Sequence, residues 1–481
     1  MSFISELPGW AFQGGLFTSK QYTLDQCIRA FSFFSGQPVD SVIANSQKNF
    51  VSTFESPHDY IIPGDASPAE ILEHIYCYIT MAHEKHHIKQ MATYPAVLQC
   101  AYMSSNCLLK IQQDCENHLP GTDFVIRLPI SQYKTASDDF NDVCIKSTVL
   151  LGGVDLLYGN KVITTRDYLE IFTTMHHMQT GGRIGTFDFE HDTSPHGLTI
   201  AHLLEAECRV HDYTYLSNFL VAGVPEYIIE KVLHSLFDPK GYHDAYLFFL
   251  KTLGRPFNII DLLIPDKLFL LTIHLSFWTL SVVAIEPSYV WEDLQPCWRF
   301  VRICEYLRKK NIRNLDSIDL EELTGDICNH FRWPPPEEIA LNTLESKEKI
   351  LKTFAEDSPV YKDFYERHFA YCHFLLSEGY EPGRFLNIEL ENRLTPYCSY
   401  VKGDGVGYQC VPTGMETAEI FQFIFIQQLS YALFVSGDLA AAQDLLLLFY
   451  ADPVSDSVPV VPDLYEYIAE WYGIKKERIV F

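Results

Sequence analysis

Between Pro68 and Pro95 lie 26 residues without a glycine or a proline. Both ends of this run carry helix punctuation. Ser67 is a good N-cap, Pro68 suits the first helical position, and Glu70 completes an S-x-x-E capping box. Apolar residues recur at Ile71, Ile75, Ile79 and Ala82. The pattern predicts one long helix over about 68–92. Its C-terminal half reads His83-Glu84-Lys85-His86-His87. On a helix, His83 and His87 are four residues apart and share a face, so both imidazoles can reach one metal ion. Glu84 lies beside them, placed to take a proton from a water that the metal activates and to pass it to a leaving amine. Gln90, one turn on, can hydrogen-bond a ligand or a substrate. Three histidines in five residues also fit a packed polar face.

H-E-x-x-H is the zincin signature, and such a site needs a third protein ligand. Gln90 and Thr93 stand where a metzincin has its glycine and third histidine, so that class is excluded. The strongest segment for the third ligand is His202-Leu203-Leu204-Glu205-Ala206-Glu207-Cys208-Arg209-Val210-His211-Asp212. Thr193-Ser194-Pro195 ahead of it is a helix-start signal. On this helix His202, Glu205, Arg209 and Asp212 fall on one side, and Glu207 and His211 form a pair on a neighbouring face. Acids and histidines flanked by apolar residues are costly to bury without a partner, and a metal or a salt-bridge network with Arg209 supplies one. Glu205 is the first candidate ligand; Glu207 and His211 are the alternatives. Asp212 or His202 can orient an imidazole of the first helix.

These two segments resemble gluzincin-type zinc metallopeptidases. They look most like a poorly characterised bacterial group with an H-E-x-x-H-x-x-Q helix and a later L-E-G/A-x-x-R helix. Here those elements are His83 to Gln90 and Leu204-Glu205-Ala206-Glu207-Cys208-Arg209. The resemblance covers a small fraction of the chain. It implies Zn²⁺, His83, His87 and Glu205 as ligands, Glu84 as catalytic base, and a peptide or protein substrate. Two departures stand out. Arg209 occupies the position, four after the glutamate, where many gluzincins carry the Asp that supports the first histidine. No clear strand precedes the motif helix to dock a substrate by β-augmentation.

The rest of the chain reads as mainly α: a zincin-like helical core around the metal site, a minor β element and a helical C-terminal region. Helix-period stretches include about 23–35, 96–112, 165–178, 198–220, 226–236, 241–253, 268–284, 296–309, 346–379, 416–450 and 462–472. Strands are expected at Asp123–Pro129 and Asp142–Leu151, and a hairpin around Tyr400 to Val411. The run Pro334-Pro335-Pro336 cannot continue a helix. It divides a metal-binding region, 1–333, from a C-terminal region, 337–481. Leu268 to Ile285 carries no Asp, Glu, Lys or Arg. Thr272, His274, Ser276 and Thr279 interrupt it, so a buried core helix is expected and not a membrane span.

Charge narrows the partners. Lys+Arg 36 against Asp+Glu 62 gives −26, a surface that repels nucleic acid and anionic lipid. The 13 cysteines form no C-x-x-C pairs and fit reduced, buried thiols. The first residues lack a basic stretch followed by an apolar one, so a cytoplasmic protein is expected. Met175-His176-His177-Met178 reads as a helix end, and Phe187 to Asp192 as a polar loop. Two other functions fit the same residues. Glu84-x-x-His87 has the spacing of a di-iron carboxylate oxidase, with Glu73, Glu205, Glu207 and His211 as further ligands. A non-enzymatic interaction protein would use the acidic surface and keep its histidines structural. The oligomeric state is not legible.

Overall fold

The computed structural model describes residues 9–12, 16–19, 24–48, 60–97, 126–127, 198, 200–237, 242–279, 293, 295–315, 318–354, 359–378, 399–401, 407–408, 443, 463–471 and 475–480. The expected strand at 142–151, the helix at 165–178, residues 98–112 of the helix at 96–112, all but Gln443 of the helix at 416–450, Met175 to Met178 and the loop 187–192 lie outside them.

The described residues are mainly helical. In chain order they form strands β1 (Gly9–Phe12) and β2 (Leu16–Ser19), then helices α1 (Leu24–Ser35), α2 (Val39–Lys48) and α3 (Pro68–Thr93). Helices α4 (Ile200–Val221), α5 (Glu226–Phe237), α6 (Asp244–Leu253), α7 (Lys267–Phe277), α8 (Pro296–Lys309) and α9 (Leu320–Phe331) follow the short strand β3 (Ile126–Arg127). Helices α10 (Pro336–Glu345), α11 (Lys347–Phe354), α12 (Pro359–Glu378) and α13 (Leu464–Trp471) complete the helical set. Strands β4 (Ser399–Val401) and β5 (Gly407–Tyr408) pair antiparallel with Tyr400 opposite Tyr408, at the expected hairpin. They extend an antiparallel β1–β2 pair into a four-stranded sheet ordered β1-β2-β4-β5. The last strand, β6 (Ile479–Val480), pairs parallel with β3.

The β1–β2 pair corrects one expectation, because strands do precede the motif helix and pack against it. The missed signal was Gly14-Gly15 between two short apolar runs, a turn pattern.

Helix α3 is the centre of the molecule. The Ser67 hydroxyl accepts from the Glu70 amide at 3.2 Å and Pro68 occupies the first turn. Pro95 stops the helix after Tyr94, whose amide closes on the Gln90 carbonyl. Helices α1, α4 and α12 and the strands β1 and β2 all pack on α3. It is therefore buried on several sides, at Ile71, Ile75, Tyr78, Ile79 and Met81 among others. Helix α4 lays Leu203, Ala206, Val210 and Tyr213 into the same core at i, i+3, i+7 and i+10 spacing.

Helix α7 shows how the polar interruptions of 268–285 are accommodated. Every residue from Leu268 to Phe277 is buried. The Thr272 and Ser276 hydroxyls donate back to the carbonyls of Leu268 and Thr272, at 2.8 and 2.6 Å. Among the described residues no helix is long and apolar enough to cross a membrane. The proline run begins α10, with Pro335 as its N-cap, and one hydrophobic core includes residues on both sides of it.

Candidate metal centre

The C-terminal half of α3 and the N-terminal half of α4 face each other across a polar seam inside this core. His83, Glu84, Glu205, Glu207, Arg209, His211 and Asp212 are all buried there. Such a concentration of charge persists in a core only when opposite charges meet or an ion joins them.

Glu205 faces both histidines of the motif. Its Oε2 lies 3.2 Å from His83 Nε2 and its Oε1 lies 3.3 Å from His87 Nε2. The two rings stand nearly perpendicular, with centroids 4.8 Å apart. A charge-assisted N–H···O bond would close to about 2.7–2.9 Å. Donor atoms around a tetrahedral ion, with bonds of about 2.0–2.2 Å, stand about 3.3–3.5 Å apart. Each separation runs to a different Glu205 oxygen, the first a hydrogen bond, so the carboxylate bridges the two imidazoles. Two imidazoles and one carboxylate are also a suitable donor set for zinc.

Each ligand candidate is held from behind. His83 Nδ1 donates to Asp212 Oδ2 at 2.8 Å, and Arg209 Nη1 donates to the same oxygen at 2.9 Å. Arg209 is covered by the Tyr242 ring, with its guanidinium carbon 4.3 Å from the centroid. The supporting Asp thus lies seven residues after Glu205, two turns along the same face, and not four. His87 Nδ1 donates to Gln90 Oε1 at 2.8 Å, which leaves Nε2 for the Glu205 side. Gln90 Nε2 in turn donates to the Leu204 carbonyl at 3.0 Å and to Glu207 Oε2 at 2.6 Å. Gln90 therefore serves as an anchor between the two helices and is fully used. The Tyr94 hydroxyl donates to the other Glu207 oxygen, Oε1.

The same contacts shape the titration of the site. Burial works against a charged His83, but the Asp212 carboxylate outweighs it and holds the imidazole up at about 10. Burial likewise opposes charge on His87, and Glu205 overcomes it. Burial raises Glu205 in turn, but the two imidazoles hold it well below the usual carboxylate range. Glu84 is pushed up to about 7, chiefly by burial, with the Glu205 and Asp212 charges adding to the rise and the two histidines opposing it.

The other residues singled out by sequence divide between this centre and a neighbouring one. Glu207 and His211 do not join His83 and His87; they gather with His86. His202 lies outside both groups. The Tyr213 hydroxyl is bonded to His243 Nε2, away from the seam. Sequence reasoning missed Cys208. Its Sγ lies 3.4 Å from His87 Nδ1, and its thiol falls within ligand range of both motif histidines. That contact is on the Gln90 side of the ring, opposite the nitrogen facing Glu205. Burial and the surrounding carboxylates keep the thiol protonated. Two side chains therefore compete as third donor: Cys208, grouped with both histidines within 4.8 Å, and Glu205, which faces Nε2 of each. The seven cysteines among the described residues are buried and unpaired in disulfides.

Comparison with known proteins returns no family model, no curated protein and no solved structure that matches this chain.

Proposed function

We propose that this protein is a zinc-dependent hydrolase, a metallopeptidase in its simplest form, with His83, His87 and Glu205 as ligands and Glu84 as general base. The observation that carries the reading is the single Glu205 carboxylate presented at 3.2 and 3.3 Å to Nε2 of both motif histidines. When bound, zinc supplies a Lewis acid that makes a water acidic near neutrality and polarises the carbonyl under attack. The remaining chemistry belongs to the chain. Glu84, poised near 7, accepts a proton from water and returns it to the leaving amine. Asp212 and Gln90 orient the two imidazoles, so each presents Nε2 to the Glu205 side. Packing around the seam excludes bulk solvent; His87, with 12% of its side chain exposed, is more open than His83 or Glu205. A net charge of −26 favours neutral or cationic peptides over nucleic acid as substrates, and a cytoplasmic setting fits the unpaired thiols.

The test is metal analysis of wild type and Glu205→Ala, followed by a peptide-cleavage screen with Glu84→Gln as control. One zinc per chain, lost in Glu205→Ala, with cleavage lost in a Glu84→Gln protein that keeps its zinc, supports the reading. Iron in place of zinc, with oxidase and no peptidase activity, moves the case to the carboxylate oxidase. No metal in protein prepared without chelator leaves the histidines structural, as an interaction protein would have them.

A further inference from the structure

The seam holds a second cluster of ligand-type side chains. His86 of α3 is one residue before His87 and so points about 100° round the helix. His211 lies four residues after Glu207 on α4, so both face α3 together. One donor atom from each of His86, Glu207 and His211 lies within 4.8 Å of the others. His86 Nε2 is 3.8 Å from Glu207 Oε1, and the two imidazole rings approach to 4.1 Å between centroids.

This cluster differs from an ordinary polar contact in what it leaves unmade. His86 Nε2 and His211 Nδ1 are buried without a hydrogen-bond partner, and His211 as a whole is only 4% exposed. A buried imidazole nitrogen left without a partner keeps its desolvation cost uncompensated. Glu207 is held by Gln90 and Tyr94 yet keeps lone pairs to offer.

We propose that His86, Glu207 and His211 form a second binding site, for a divalent transition ion of the zinc class. Two imidazoles and a carboxylate suit such an ion, and the site does not depend on whether the first centre is loaded. The donors lie no more than 4.8 Å apart, and His86 Nε2 and Glu207 Oε1 are already at 3.8 Å, so only a small convergence brings them to the roughly 3.3 Å spacing of a tetrahedral ion. Lys89 faces the same cluster and is drawn electrostatically to Glu207. Gln90 spans the two centres, joining His87 Nδ1 to Glu207 Oε2.

The experiment is titration of chelator-stripped full-length protein with Zn²⁺ alone, by calorimetry and by elemental analysis after desalting. Co²⁺ absorption gives a second readout of the donor set. Wild type is expected to bind two ions. His211→Asn and His86→Asn should each bind one, and Glu205→Ala should bind the other one. Lys89→Met should tighten the second equivalent by about tenfold. One ion lost in both His variants but kept in Glu205→Ala would support this site and sink the first centre. One ion lost only in Glu205→Ala, or two ions retained in both His variants, would overturn the proposal. Wild-type stoichiometry below one would overturn it as well. Circular dichroism identifies a variant that fails to fold, and wild type with the remaining His variant then decides.

Discussion

Two regions among the described residues bury cations, and they treat them differently. Arg299 of α8 donates Nε and Nη2 to the Leu275 carbonyl at 3.1 and 2.7 Å, Nη2 to the Trp278 carbonyl at 3.0 Å and Nη1 to the Asp293 carbonyl at 2.9 Å. Its guanidinium lies 3.7 Å above the Trp333 ring. It fastens the open C-terminal end of α7 to α8, where helix carbonyls lack intrahelical partners. The seam between α3 and α4 is richer in charge and poorer in closure. His86 Nε2, Arg209 Nε, His211 Nδ1 and Asp212 Oδ1 are buried there without a hydrogen bond. A fully satisfied cation is what structure alone requires. A set of aligned donors with vacant lone pairs is what a ligand requires.

Four experiments sharpen that contrast, from the largest effect downward. Arg299→Met should cost about 3–4 kcal/mol in chemical denaturation, because it orphans several buried carbonyls. The metal content of the surviving folded fraction should stay unchanged. If metal falls in proportion to stability, the two regions are not separable.

Glu84→Gln should reduce hydrolysis by about 10²–10⁴-fold while leaving metal content intact. In metal-free protein the same change acts on stability with a definite sign. The folded carboxyl titrates near 7, above its ordinary value of 4.5, so ionisation opposes folding. Wild type should lose stability as pH rises from about 4.5 to 7, and Glu84→Gln should lack that loss. It should therefore be the more stable protein at pH 8, by up to about 3 kcal/mol, and equal to wild type at pH 4. Equal melting curves at both pH values would show that Glu84 is not the strained acid described.

Asp212→Asn should weaken metal binding by about 10–100-fold without abolishing it, as loss of an orienting partner does. It also tests the protonation of His83. With Asp212 present the folded imidazole titrates near 10 against an ordinary 6.5. Its contribution to metal-free stability is complete below 6.5 and lost as pH rises through 10, a slope that Asp212→Asn should flatten. Metal binding should strengthen over the same range as the competing proton leaves.

The exposed ion pair of Lys347 with Glu366, at 2.7 Å, is the control. Lys347→Ala should change stability by less than about 1 kcal/mol and metal content not at all.

Which residues of the candidate site share a helix face is legible in the sequence, because helical periodicity fixes it. That logic paired His83 with His87, set Glu205 and Asp212 on one side of α4, and separated Glu207 and His211 from them. Periodicity says nothing about which face of one helix meets which face of another. For that reason Gln90 looked free to meet a substrate, although it is committed to Leu204 and Glu207. His86 looked like a complication, although it stands with Glu207 and His211. The contact of Cys208 with His87 was hidden for the same reason. In the fold, the helical class and the hairpin near Tyr400 follow from local patterns. The pairing of β2 with β4 does not, because it joins Leu16 to Ser399 across most of the chain.

His83 and Glu205 are 122 positions apart, and His83 and Asp212 are 129 apart. Bringing them together closes a loop of more than a hundred residues, an entropic cost that grows only slowly with loop length. Nascent chain emerging from the ribosome would carry His83 and His87 without their carboxylate for well over a hundred residues of synthesis. Any ion the centre retains is therefore chosen by the finished cage, through its spacing and rigidity, and not by the order in which donors appear.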